Sequence, residues 1–199
     1  MNVGVTQRFM SLGAGVECDG IDRGFYELLK GHNIIPIRND ADQDFDALAD
    51  ELDLLIVSGG MNYDIRIITE TEISLAMVTQ GKPVWGICHG AFLLTQILEG
   101  DVVEGSKECQ ERHWLSVHTL ELQGETTLPE PPQVVSSHTM FIGKLPPGAV
   151  SLAKDPEGRP EAWIKGNICA TVWHPERAHI EEIPVFIPDE IQEATGITA

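Results

Sequence analysis

The stretch "PVWGICHGAFLL", residues 83–94, runs a short apolar segment into a cysteine set between two glycines, and from there into a helical pattern. Residues 83–87 have the unbroken apolar character of a strand covered on both faces. Residues 91–98, "AFLLTQIL", read as a helix. A strand that turns into a helix at Gly-x-Cys-x-Gly is the cysteine form of a nucleophile elbow. The glycines permit the tight turn, and amide groups at the helix start favour a thiolate on Cys88. A free cysteine also packs as a small hydrophobe, so the surrounding segments have to decide between the two roles.

Upstream, strand and helix patterns alternate. "VGVT" (3–6), "NIIPIR" (33–38) and "LLIV" (54–57) read as strands, the second near a sheet edge because Pro36 cannot donate a ladder bond. Between them, "ECDGIDRGFYELL" places Ile21, Phe25, Leu28 and Leu29 at helical spacing, with Asp19 as a cap. "DFDALADEL" aligns Phe45, Leu48 and Leu52 on one helix face. "TETEISLAMVTQG" (69–81) predicts a helix opened by a Thr69–Glu72 capping box and closed by glycine. Downstream, "VHTLEL", "QVVSSH", "AVSLAK", "EAWIK" and "ICATVW" read as short strands, "TTLPEPPQ" (126–133) as a loop, and "PDEIQEATGI" as a last helix. The expected fold is α/β: an open, mainly parallel sheet with helices on both faces and extra short strands in the C-terminal half. The 199 residues suit one domain, 1–199.

The composition is that of a folded chain, with 42% hydrophobic and 22% charged residues. A net charge of −18 argues against a nucleic-acid partner. No apolar run nears the ~20 residues of a membrane span, and the N-terminus lacks the pattern of a secretion signal. The expectation is a cytoplasmic protein without a membrane partner. Cys18, Cys88, Cys109 and Cys169 form no CxxC pair, so neither a disulfide framework nor a cysteine-rich metal site is expected. An anionic substrate would need a local basic exception, with Arg8, Arg23, Arg66 and Lys82 as candidates.

A nucleophile needs a base, and the base an orienting group. "ICATVWHPER" (168–177) carries a strand directly into His174, with Glu176 two residues on. His174 fits the base and Glu176 its orienter. "IVSGG" (56–60) leaves a neighbouring strand through Gly59 and Gly60, whose backbone can approach a substrate closely. The amides of Gly60 and His89 are the candidate oxyanion donors, with Gly59 shaping the loop.

These blocks carry a resemblance. "SGG" (58–60), "GICHG" (86–90) and "WHPE" (173–176), in that order, resemble the class I glutamine amidotransferases, whose triad is Cys-His-Glu. The resemblance implies hydrolysis of a γ-glutamyl amide through a γ-glutamyl thioester on Cys88, without a cofactor. "VGVTQR" and "GIDRGFYELLKGHNIIPI" are most similar to the stand-alone γ-glutamyl hydrolase branch, typified by γ-glutamyl-γ-aminobutyrate and γ-glutamyl-CDP-amidate hydrolases. "VVSSH" (134–138) resembles that branch's VNSxH segment, which implies that Ser136, Ser137 and His138 lie near the substrate. Most glutamine-using members carry glutamine where this chain has Phe92, so the expected substrate is a small γ-glutamyl conjugate rather than free glutamine. The alternative is a glutaminase subunit that passes ammonia to a synthetase partner. A non-catalytic regulatory protein on the same fold is the third reading. His113 and His118, with His138, match no zinc signature, and no carboxylate or cysteine completes a set; no metal is expected.

Overall fold

The computed structural model describes residues 1–123 and 130–198. Residues 126–129, half of the expected proline-rich loop (126–133), therefore lie outside the described residues. The first half contains β1 (Asn2–Thr6), β2 (Arg8–Gly13), β3 (Val16–Gly20), α1 (Gly24–Leu28), β4 (Asn33–Ile37), α2 (Phe45–Glu51), β5 (Leu54–Val57), α3 (Asp64–Thr79), β6 (Val84–Ile87) and α4 (His89–Ile97). The second contains β7 (Asp101–Glu104), α5 (Lys107–His113), β8 (Ser116–Thr119), β9 (Glu121–Leu122), β10 (Gln133–Ser136), β11 (Met140–Lys144), β12 (Val150–Lys154), β13 (Pro160–Lys165), β14 (Ile168–Thr171), a 3-10 turn (Pro175–Ile180) and α6 (Asp189–Thr195).

An eight-stranded sheet in the order β4-β1-β5-β6-β14-β13-β12-β9 forms the frame. From β4 to β14 every neighbouring pair is parallel. The antiparallel strands β13, β12 and β9 extend it on one side. The sheet is thus open and mostly parallel, and Pro36 does lie on its edge strand. The four residues of β5 explain the unbroken apolar run. Leu54 and Ile56 pack with Phe25 and Leu29 of the α1 segment and Ile191 of α6. Leu55 and Val57 pack with Ala49 of α2, Ile73 and Met77 of α3 and Leu94 of α4. Both faces are covered, so both sets of alternating side chains must be apolar. Trp85, Trp163 and Trp173 are core residues, each at most 1% exposed.

Two helix starts differ from the sequence expectation. α3 begins at Asp64, not Thr69, and Tyr63 at its N-cap makes no side-chain cap bond. Thr69 is fully buried in mid-helix. The cause is a polar inner face: Arg66 and Glu70 are buried against the sheet end, so the apolar period that would mark the first turns is missing. Asp19 lies in β3 rather than capping a helix; Asp22 instead accepts the Gly24 N–H at 3.1 Å. The hairpin β2–β3 went unpredicted because it is mostly exposed and has no apolar face to reveal it. Among the described residues, no helix is long and apolar enough to cross a membrane.

Candidate active site

The carboxyl ends of β1, β5, β6 and β14 lie side by side, the usual ligand edge of a parallel sheet. Cys88 follows β6 with φ 52° and ψ −106°. A non-glycine residue held there carries strain of order 1–3 kcal/mol. Its N–H donates to the Thr171 carbonyl at 2.9 Å, tying the elbow to β14. The flanking glycines answer to packing. A Cβ on Gly86 would lie 2.5 Å from the Gly90 carbonyl oxygen, and one on Gly90 would collide with the Val57 backbone. Only hydrogen at both positions lets α4 fold straight back over β6 and against β5.

β14 runs parallel to β6, so its continuation delivers His174 beside Cys88. The His174 N–H donates to Val135 at 2.8 Å, and its Nδ1 lies 2.6 Å from Glu176 Oε1. Both side chains are buried. Burial alone pulls the imidazole pKa down, but the Glu176 charge and the Cys88 sulfur outweigh it, and His174 is pushed up to about 9. Gly59 lies across this pair. A methyl there would meet His174 Cε1 at 2.6 Å and Cys88 Cβ at 3.4 Å. The three sequence blocks therefore converge on one place.

Sequence reasoning missed what holds the Ser58–Gly60 loop. The Arg66 guanidinium donates to the carbonyls of Ser58 (2.8 Å), Gly59 (3.3 Å) and Met61 (3.1 Å). It pairs with Glu70 Oε1 at 2.8 Å, both side chains fully buried. The Thr6 hydroxyl also donates to Oε1, at 2.6 Å, and the other carboxylate oxygen takes the His89 ring nitrogen at 2.8 Å. One buried ion pair thus joins the glycine loop to the residue after Cys88. Arg66 and Glu70 stand at i,i+4 spacing, a pattern that by itself does not distinguish a buried pair from a solvated helix face. Of the basic candidates, Arg66 is consumed here, Arg8 pairs with Asp22, and Lys82 caps carbonyls at the end of α2.

Cys88 opens onto a cleft of about 290 Å³, whose lining includes Gly60, His89, Phe92, Ser137 and His138. That is near the lower end of the roughly 300–1,000 Å³ typical of small-molecule sites. The Cys88 sulfur is 3.9 Å from the Ser137 carbonyl. The Phe92 ring meets that of His138 edge-on, centroids 6.0 Å apart. Ser136 is not among the lining residues; its hydroxyl is buried and unpaired. His113, His118 and His138 do come together, and the expectation that no carboxylate joins them needs correction. Glu161 of β13 lies among them, 3.6–3.7 Å from a ring nitrogen of each. Burial lowers His113 to about 4 and His138 to about 3, each also repelled by its neighbouring imidazoles. Burial raises the Glu161 carboxyl.

Comparison with known proteins gives this constellation a family. Residues 18–194 match the family Glutamine amidotransferase class-I. The chain belongs to the class I glutamine amidotransferases, which are amide hydrolases. It is 39% identical over 130 residues to GMP synthase [glutamine-hydrolyzing] of Dehalococcoides mccartyi, covering 62% of this chain and 23% of that protein. It is 37% identical over 113 residues to the enzyme of the same name from Aeropyrum pernix, covering 53% and 21%. The chain thus spans only about a quarter of the length of the curated relatives it matches. A glutamine amidotransferase from Thermotoga maritima shares the fold, with a TM-score of 0.68 at 13% identity over 98% of this chain and 93% of that one.

Proposed function

We propose that this chain hydrolyses the γ-amide of glutamine through Cys88 and supplies the ammonia to a synthetase partner. The observation that carries the chemistry is the strained Cys88 at the elbow, with the buried His174–Glu176 pair beside it. The thiolate attacks the γ-carbonyl carbon, and the amides of Gly60 and His89 hold the oxyanion. Imidazolium His174 gives its proton to the departing nitrogen as the C–N bond breaks, releasing ammonia and leaving a γ-glutamyl thioester. His174, now neutral, takes a proton from water, whose oxygen attacks the thioester; glutamate leaves and the thiolate is restored. Glu176 holds the ring and stabilises its charged form. Ser137 and His138 border the substrate. We take residues 1–199 as one domain.

The choice of glutamine and of a synthetase partner draws on the relatives. Their names join a synthase to glutamine hydrolysis, while this chain matches a quarter of their length. A second reading keeps one observation in its favour. Phe92 lines the cleft where glutamine-using members carry an amide, which favours a γ-glutamyl conjugate with a larger leaving group and the stand-alone hydrolase branch. Glutamate release by the isolated chain separates the two. Turnover of glutamine that rises when a synthetase is added supports the first reading. Rapid turnover of γ-glutamyl amines with glutamine untouched under both conditions replaces it with the second.

A further inference from the structure

We infer that His113, His118, His138 and Glu161 form a binding site for one divalent transition-metal ion of the zinc type. Three segments supply the imidazoles: His113 ends α5, His118 lies on β8 and His138 follows β10. All of them surround a carboxylate on the main sheet. The candidate ligand atoms of His113, His118 and Glu161 lie within 4.8 Å of one another.

The hydrogen-bonding pattern is what calls for a cation. His138 Nδ1 lies 2.9 Å from the Met140 carbonyl oxygen. A carbonyl only accepts, so Nδ1 carries the proton and Nε2 of the neutral ring presents its lone pair. That lone pair faces Glu161 Oε1 at 3.6 Å, with His138 3% and Glu161 1% exposed. His113 Nδ1, both ring nitrogens of His118, His138 Nε2 and Glu161 Oε2 are all buried without a hydrogen-bond partner. Leaving so many polar atoms unpaired in one buried place is costly, because each has given up its water and gained no partner. The separations of 3.6–3.7 Å between carboxylate and imidazoles exceed a hydrogen bond. The two to Oε1, from His113 and His138, come close to the ~3.4 Å edge of a tetrahedron with metal–ligand bonds of about 2.0–2.1 Å, and His118 faces the second oxygen, Oε2.

The outer contacts fit as well. The Met140 carbonyl orients His138, and Asp155 Oδ2 stands on the other side of the His113 ring, 3.6 Å from Nε2. Binding through His113 Nδ1 requires the ring proton on Nε2, directed at Asp155 Oδ2, while Arg159, whose Nη2 stands 3.4 Å from Nε2, donates to Asp155 instead. His113 Nδ1 is thus the nitrogen left for the ion. His113, His118 and Glu161 form the compact set, and His138 joins it through its approach to Glu161 Oε1; with four protein ligands the ion is structural. It fastens the β8–β10 pair to β13 and fixes the Ser137–His138 strand end beside Cys88.

The test is zinc content and zinc-dependent melting of the full chain. After exposure to zinc and exhaustive dialysis, the wild type should retain about one ion per chain and melt at higher temperature than after chelation. His118→Ala and Glu161→Gln should each bind at least ~100-fold more weakly. His118, the most exposed ligand, keeps the test decisive if Glu161→Gln fails to fold. Cys88→Ser should retain the ion, and the cobalt-substituted protein should show no thiolate charge-transfer band. A folded wild type that retains no zinc would overturn the site, leaving Glu161 protonated among the imidazoles. So would retention by His118→Ala with loss in Cys88→Ser, which would place the ion at the nucleophile.

Discussion

Gly59 packs against both Cys88 and His174: an added methyl would stand 2.6 Å from the His174 ring and 3.4 Å from Cys88 Cβ. Gly59→Ala must therefore push the imidazole away from the sulfur or shift the glycine loop. Displacements near 1 Å in a reacting pair cost on the order of 100-fold in rate. Single-turnover glutamate release should fall by about that factor, with the far-UV spectrum unchanged.

His174 is held at about 9, against an ordinary value of 6.5. A raised histidine pKa stabilises the folded state below pH 6.5, and this contribution is lost as pH rises from 6.5 through about 9. The same titration removes the proton that the leaving nitrogen needs, so kcat/KM should decline on the alkaline side near pH 9. Glu176→Gln deletes the leading cause of the upward shift and should move that limb to lower pH. An alkaline limb unmoved by Glu176→Gln would assign it to another group.

The Arg66–Glu70 pair should behave as a buried ion pair, costly to halve and cheaper to remove. Glu70→Gln leaves the guanidinium uncompensated and should destabilise the protein by about 3–5 kcal/mol in urea unfolding. Combining Arg66→Met with Glu70→Leu should cost less than the sum of the single changes. Because Arg66 also holds the carbonyls of Ser58 and Gly59, the double variant should still lose activity.

Phe92→Gln tests substrate choice. If an amide at this position contacts glutamine, the change should lower KM for glutamine several-fold and leave turnover of bulkier γ-glutamyl amines the same or worse. Parallel assays of both substrate types read this directly.

Much of the frame was legible because two-sided burial leaves a plain mark. "LLIV" and "PVWGI" could only be inner strands, and Pro36 could only sit at an edge. Gly86 and Gly90 announced the elbow because nothing larger fits there. Buried polar residues were illegible for the opposite reason. Arg66 and Glu70 look like a solvated helix face until the sheet end is placed over them, which is also why α3 starts five residues earlier than expected. Glu161 in "PEAWIK" reads as an outward strand residue, yet it is 1% exposed because the histidines of α5, β8 and the β10 end fold over it. The pairing of distant segments decides such cases, and local pattern does not carry it.

The central claim is that Cys88 is the nucleophile. General alkylating agents test it poorly. The Cys109 thiol is lowered by the Ser106 hydroxyl and then by Arg159 and Arg112, whereas burial pushes the Cys169 thiol up. A diazoketone analogue of glutamine reacts only where a thiolate faces a bound glutamyl group. Intact-mass analysis and peptide mapping after incubation with this analogue should show one adduct per chain, on Cys88, with glutamine slowing its formation and His174→Ala suppressing it. An adduct on Cys109, or labelling that persists unchanged in Cys88→Ala, would contradict the account.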